Sequence, residues 1–266
     1  MDNSSSIFEI VSNIENEGDI CCLCTIVSSN GSTPRHIGSK MIVKRNGTLI
    51  GSVGGGEIEK RVIDAAREVS ESGKPQLIEY HLVNPEKGDP GVCGGTVQVF
   101  IDPINPKPQL IVIGGGHVGK AVVHLGKWLG FKIIISDDRP EFCTPEIHPD
   151  ADILLPILMS EIPSHIKINS STYIVLTTRG AGIDIPGLPI LLETEASYIG
   201  VIGSQRRWIL TQKGMIDAGV QKSKIERIKS PIGIDIKAES PEELAISILA
   251  EIILHKNNKE SISGSI

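Results

Sequence analysis

The residues Gly114-Gly115-Gly116-His117-Val118-Gly119 carry the spacing Gly-x-Gly-x-x-Gly, the pattern of a turn that brings backbone against a diphosphate. The first glycine allows the tight turn, the second lets backbone approach the ligand, and the third lets a helix pack on a strand. A helix opening there offers unpaired N–H groups and a positive dipole end to an anion. Three other groups could act with this turn. Asp137-Asp138-Arg139 places an acid, Asp137, where ribose hydroxyls would be accepted, Thr178-Arg179-Gly180 supplies an arginine, and Gly203-Ser204-Gln205-Arg206-Arg207 supplies two more. Arg179, Arg206 and Arg207 suit charge-assisted contacts to phosphate, with one of the last two expected to be a solvated helix residue. His117 either faces a bound phosphate or caps the helix, and His124 reads as a surface residue.

The N-terminal part holds a second group. Gly31-Ser32-Thr33-Pro34-Arg35, Gly54-Gly55-Gly56-Glu57 and Cys93-Gly94-Gly95 each join flexible backbone to a charged or nucleophilic side chain. Gly54 to Gly56 lead into a helix and so offer a second anion cradle, with Glu57 favouring the dipole of that helix. Cys93, between a polar loop and a glycine pair, is the thiol expected to be exposed, against the usual burial of cysteine. Cys93, Arg35 and Glu57 are the candidates for chemistry, and no catalytic step is assigned to them. There is no nucleophile elbow, no His-Glu-x-x-His pair and no Walker loop, so ordinary hydrolases and P-loop enzymes are unsupported.

Elements must hold these residues in place. Leu110 to Ile113 reads as a buried strand, and Val118, Val122, Leu125 and Leu129 share one face of the following helix. Strands at 131–136, 172–177 and 198–202 end respectively at the Asp137, Thr178 and Gly203 groups, which gathers all four groups at one sheet edge. Ser240-Pro241-Glu242-Glu243 opens a last helix with a capping box. Strands alternating with helices imply a parallel, doubly wound sheet. Before it, a helix at Phe8 to Ile14, strands at 20–27, 41–44, 48–53, 76–82 and 96–101, and a helix through Ile58 to Val69 make a mixed α/β half, with Asn46-Gly47 as a hairpin turn. Asp102 to Pro108, with three prolines, reads as the linker between the halves.

The chain has 266 residues, enough for two domains, and a formal net charge of −6, which argues against a nucleic-acid partner. Four Phe, three Tyr and two Trp leave little surface for base stacking. No apolar run approaches a membrane span and no signal pattern opens the chain, so a cytoplasmic protein with no membrane partner is expected. Five cysteines suit reduced thiols. Alternation puts Cys22 and Cys24 on one strand face and Cys21 on the other, as buried small residues rather than metal ligands.

The ordered motifs resemble the XdhC/CoxI family, accessory factors of molybdenum hydroxylases. The likeness runs from Gly31 to Met41 and Gly54 to Glu59, through Cys93 to Gly95 and Gly114 to Gly119, to Asp137 to Phe142, Thr178 to Gly180, Tyr198 to Ser204, Ser230 to Ile236 and Glu239 to Glu243. Two positions depart from it: Ala181 stands where many relatives have histidine, although Asp184 remains, and Ser39 where alanine is commoner. The resemblance implies a small mixed α/β XdhC/CoxI domain over 1–104 and a Rossmann-like domain with a parallel sheet over 105–266. It implies an accessory factor rather than an enzyme, one that binds molybdenum cofactor (molybdopterin) as cargo, aids its sulfuration, and delivers it to a xanthine dehydrogenase-type hydroxylase. The cofactor-binding set it implies is Gly114, Gly116, His117, Gly119, Asp137, Asp138, Arg139, Thr178, Arg179, Gly180, Gly203 and Ser204, with Gly54, Gly55, Gly56, Gly94 and Gly95 in the first domain. Arg35, Glu57 and Cys93 would face the cargo across an interdomain cleft, with Cys93 as the soft ligand for molybdenum. A cysteine desulfurase and a second copy of the chain, as a homodimer, are the further partners implied. The alternatives are an NAD(P)-dependent oxidoreductase, favoured by the glycine turn with Asp137, a xanthine dehydrogenase component, against which stands the lack of any iron–sulfur cysteine spacing, and an interaction scaffold with a vestigial nucleotide site.

Overall fold

The computed structural model describes residues 6–82 and 94–262, with side chains to Asn258. It contains two compact units, one built on Met1–Pro106 and the other on Lys107–Asn258.

The first unit is an antiparallel sheet with a helix on each face. In chain order it comprises α1 (Ile7–Asn16), β1 (Cys21–Asn30), β2 (Lys40–Lys44), β3 (Leu49–Gly51), α2 (Gly56–Ser72), β4 (Gln76–His81) and β5 (Thr96–Ile104), with sheet order β3-β2-β1-β5-β4. The hairpin between β2 and β3 turns at Asn46-Gly47, where Gly47 has φ +85° and the Asn46 side chain accepts the Thr48 N–H at 3.0 Å. Ile58, Val62, Ala66 and Val69 of α2 cover the face that carries Cys22, Cys24, Ile26 and Val99. Cys21 and Ile42 point the other way, against Ile14 of α1. The alternation expected for the cysteines is therefore present. Burial pushes the Cys21 thiol up to about 11 and those of Cys22 and Cys24 to about 12, so all three stay protonated and are poor metal ligands.

The expected linker begins too early. β5 continues through Asp102-Pro103-Ile104, pairing Pro103 with Cys22 of β1. β4 begins opposite Ile101, so the strand end has only one neighbour and the missing N–H of Pro103 is tolerated there as it is on an edge strand.

The second unit runs β6 (Gln109–Ile113), α3 (His117–Trp128), β7 (Lys132–Ser136), β8 (Ile153–Leu155), α4 (Ile162–His165), β9 (Thr172–Leu176), α5 (Ala181–Leu192), β10 (Tyr198–Val201), α6 (Gln205–Asp217), α7 (Lys222–Ile225), β11 (Ile228–Lys229) and α8 (Pro241–Ile262). Its strands are all parallel, in the order β11-β10-β9-β6-β7-β8. Counted from β6, this is the 3-2-1-4-5-6 order of the doubly wound dinucleotide fold, and the order reverses between β6 and β9. Strands buried on both faces explain the unbroken apolar runs. Leu110, Val112 and Ile135 pack towards Val122 of α3 and Ile248 of α8, whereas Ile111, Ile113 and Leu176 pack towards Leu188 of α5 and Met215 of α6. The capping box of α8 is present: Ser240 Oγ accepts the Glu243 N–H at 3.2 Å, and the Glu243 carboxylate accepts those of Glu239 and Ser240. Among the described residues no helix is long and apolar enough to cross a membrane.

Candidate functional site

At the carboxyl end of β6 the three glycines of the turn have three distinct environments. Gly114 has φ +114°, donates its N–H to Ser136 O at 2.7 Å, and receives the Thr177 hydroxyl on its carbonyl at 2.7 Å. A Cβ on Gly119 would collide with that same Gly114 carbonyl, so α3 can lie this close to the turn only with glycine there. A Cβ on Gly116 would meet nothing, which leaves open space over the first turn of α3. The N–H groups of that turn have no acceptor within the helix. His117 is exposed and does not cap α3, whose N-cap is Gly116 without a side-chain bond.

Asp137 follows β7 and lies beneath the turn, 3 % exposed. Its Oδ2 accepts the Gly115 N–H at 2.8 Å and Arg139 Nη2 at 2.9 Å, and its Oδ1 accepts the Arg139 N–H at 3.0 Å and Nε at 2.9 Å. Burial works to raise its pKa, but the bonds from Arg139 and Gly115 outweigh it and hold the carboxyl below the usual carboxylate range. The guanidinium of Arg139 lies 3.8 Å from the centre of the Phe142 ring. Beside them, His148 is buried, and its Nε2 lies 3.0 Å from Phe142 O. A Cβ on Gly115 would strike that carbonyl and stand 2.9 Å from the imidazole, so this glycine is needed where the two loops meet. Burial lowers the pKa of His148, and its Nδ1 has no hydrogen-bond partner among the described residues.

Asp138 and Arg179 meet through two parallel bonds of 2.8 Å, bridging the ends of β7 and β9. Deeper, Arg207 of α6 reaches Asp184 of α5 at 2.6 Å and the Thr178 carbonyl at 2.9 Å, and Thr178 donates its hydroxyl to Asp184. Arg206 is exposed, the solvated member of the pair, and Ser204 serves as N-cap of α6, accepting the Arg207 N–H at 3.3 Å. Gly203, at φ +144°, lies 2.8 Å from the Arg207 side chain by its missing Cβ, and Gly180 is the N-cap residue of α5. Between these groups lies a small cavity of about 20 Å³, lined by Ile113, Ile157, Met159 and Ile183 and by the two outer acid–arginine pairs.

The first unit gathers its own glycine motifs. A Cβ on Gly31 would lie 3.1 Å from Gly94 O and one on Gly54 2.9 Å from Pro34, so the loop after β1 touches both other motifs. The cradle at Gly54 to Gly56 is filled from within. Glu59, one turn into α2, accepts the Gly55 N–H at 2.9 Å and the Ser52 hydroxyl at 2.5 Å. Burial acts to raise the Glu59 pKa, yet these bonds bring it below the usual value. Glu57 is instead exposed and lies 3.6 Å from Arg61, a solvent-side pair on α2. Arg35 is exposed, and Cys93 lies outside the described residues. Arg207, expected to reach phosphate, is instead held by Asp184 and Thr178. Asp184, Glu59 and His148 are the network residues that the sequence does not single out by role; Asp184 and Glu59 stand inside the motifs but carry no spacing that marks them.

The glycine turn, the strand order and these loop pairs coincide with a known pattern. Residues 110–252 match the model of the XdhC Rossmann domain, and residues 15–81 match that of the XdhC and CoxI family. The chain belongs to the XdhC family. A relative named YqeB, described as uncharacterized, from Escherichia coli K12 is 32% identical over 95% of this chain and 47% of its own length. A probable xanthine dehydrogenase subunit from Bacillus subtilis is 33% identical over 59% of this chain and 46% of its own length. The XdhC chain thus spans about half the length of these two relatives. The molybdenum cofactor insertion chaperone PaoD of E. coli K12 is 23% identical over 91% of this chain and 85% of its own length. Among solved structures, a protein described as a xanthine dehydrogenase from Bacillus halodurans shares the fold, with TM-score 0.52, 21% identity and 96% of each chain covered.

Proposed function

We propose that this XdhC-family chain binds molybdenum cofactor as cargo and assists its insertion into a xanthine dehydrogenase-type molybdenum hydroxylase. The observation that carries the reading is the pocket at the switch point. The glycine turn leaves open space over Gly116 at a helix N-terminus, and Arg139 and Arg179 stand beside the same strand ends, which suits the phosphate of a ligand lying over this edge of the sheet. One relative is named for insertion of molybdenum cofactor, which supports the cargo, and another as a probable xanthine dehydrogenase subunit, which supports the client. In this reading the turn and Arg179 bind the phosphate end, and Cys93 supplies a thiol towards molybdenum during sulfuration, with a cysteine desulfurase as sulfur donor and a homodimer as the working form. Protein purified from a molybdate-fed host should release fluorescent oxidised pterin, and Cys93→Ala should lose molybdenum without unfolding. A wild-type protein that carries neither pterin nor molybdenum ends the proposal.

The strand order and the Gly-x-Gly-x-x-Gly turn also favour a second reading, a nicotinamide dinucleotide site. Titration with NADH and NADPH separates the two, because fluorescence transfer at micromolar concentration would favour the nicotinamide.

A further inference from the structure

Three acid–arginine pairs lie at this edge of the sheet, two of them lining the switch-point pocket, and they differ in how far water reaches them. Asp184 with Arg207 is innermost, with side chains 0% and 19% exposed. Asp137 with Arg139 is next, at 2% and 33%, and Asp138 with Arg179 outermost, at 26% and 48%. Separating a buried pair leaves a charge without partner or water, whereas an exposed pair contributes little and parts readily. Only the outermost pair can therefore open at low cost. In it, both oxygens of Asp138 sit on the two terminal nitrogens of Arg179, the fork geometry in which arginine holds phosphate.

Asp137 cannot open in the same way. A carboxylate offers about four acceptor directions, and here four donors occupy them: the N–H groups of Gly115 and Arg139 and two nitrogens of the Arg139 guanidinium. A ribose hydroxyl would have to displace Arg139 from a buried acid.

We propose that Asp138 occupies on Arg179 the place of a ligand's phosphate, so that the pocket takes phosphate-bearing compounds by exchanging its own carboxylate, and that Asp137 braces the turn without reading ribose. This deepens the cofactor reading and rests on it only for the location of the site. The ligand class is a phosphate ester, recognised by its oxyanion and not by a sugar diol.

Calorimetric titration at fixed ionic strength with AMP, 2′,3′-dideoxy-AMP and adenosine tests it. The two phosphates should bind within about twofold of each other and adenosine should not bind, since the charge-assisted bonds go to phosphate. Asp138→Asn should tighten AMP by about two- to fivefold, the range of an exposed pair, and Arg179→Gln should weaken it by about tenfold or more. Glu141, exposed and also acting on Arg179 through its charge, gives the control Glu141→Gln, which removes a neighbouring negative charge without a bond to the arginine. Equal tightening by Glu141→Gln overturns the exchange, as does loss of the dideoxy compound alone or the absence of binding by either phosphate. A protein that carries pterin yet fails this titration overturns the exchange and leaves the cargo reading standing. One that passes without carrying pterin supports the exchange and removes the cargo.

Discussion

Gly115 donates its backbone N–H to Asp137 Oδ2 at 2.8 Å, so the turn expected to cradle a ligand's phosphate is braced by a carboxylate of the same chain. Glu59 does the same for Gly55 in the first unit. In both loops glycine frees an N–H and a nearby acid accepts it, which organises the loop before any ligand arrives.

Replacing Asp137 by Asn should cost about 2–3 kcal/mol, because Arg139 and Gly115 keep their donors but lose a buried anion. The sign with pH follows from its depressed pKa. The stabilisation is present above the ordinary carboxylate pKa of about 4 and is lost as pH falls through the lower native value. Urea denaturation from pH 6 to 3 should show a steeper acid loss for the wild type than for Asp137→Asn, and parallel curves would refute this account.

His148 gives the opposite charge logic. Burial and the nearby Lys120 lower its pKa, with Asp137 and the Phe142 and Gly115 carbonyls opposing. The unfolded chain therefore takes the proton first, near pH 6.5, and stability falls from there as pH drops towards the native pKa. His148→Gln can still donate to Phe142 O without titrating. It should narrow the difference in denaturation midpoint between pH 7.5 and 5.5, and an unchanged difference would exclude His148 as the source.

The glycines of the turn should separate by role. Gly116→Ala, at φ −71° with open space for its Cβ, should change the melting temperature little yet reduce the pterin retained after purification. Gly119→Ala must push the Gly114 carbonyl aside and should cost about 2 kcal/mol or more, the scale of overpacking a tight contact. If both variants melt alike, the assignment of the second glycine to ligand and the third to packing fails.

These roles are readable because spacing fixes them: Gly-x-Gly-x-x-Gly, Asn46-Gly47 and the Ser240 box each act within a few residues. Partners distant in sequence are not. Nothing in the Thr178-Arg179-Gly180 string says that Arg179 meets Asp138 or that Thr178 meets Arg207. β8 is three residues long, and α5 is apolar and holds Pro186 and Pro189, so neither shows a period. Burial of Leu188, Leu191 and Leu192 holds α5 where propensity would not. Pro103 likewise argues against a strand until β4 is seen to begin at Gln76, opposite Ile101, and so to leave Pro103 without a neighbour on that side.

Glu57 and Glu59 offer a final comparison on one helix. Glu57 is the candidate by position at the start of α2, but its pair with Arg61 is exposed, and Glu57→Gln should leave stability almost unchanged. Glu59→Gln keeps the size of the side chain and removes the charge that gathers Ser52 and Gly55, so it should cost about 1–2 kcal/mol. It should also expose the Gly54–Gly56 loop, because Gly55 and Gly56 adopt φ +75° and +62° with no side chain of their own to hold them. Limited proteolysis beside urea denaturation reads both effects. Faster cleavage near residue 55 in Glu59→Gln but not in Glu57→Gln is the expected result, and equal behaviour of the two variants would mean that the Glu59 carboxylate does not organise this loop.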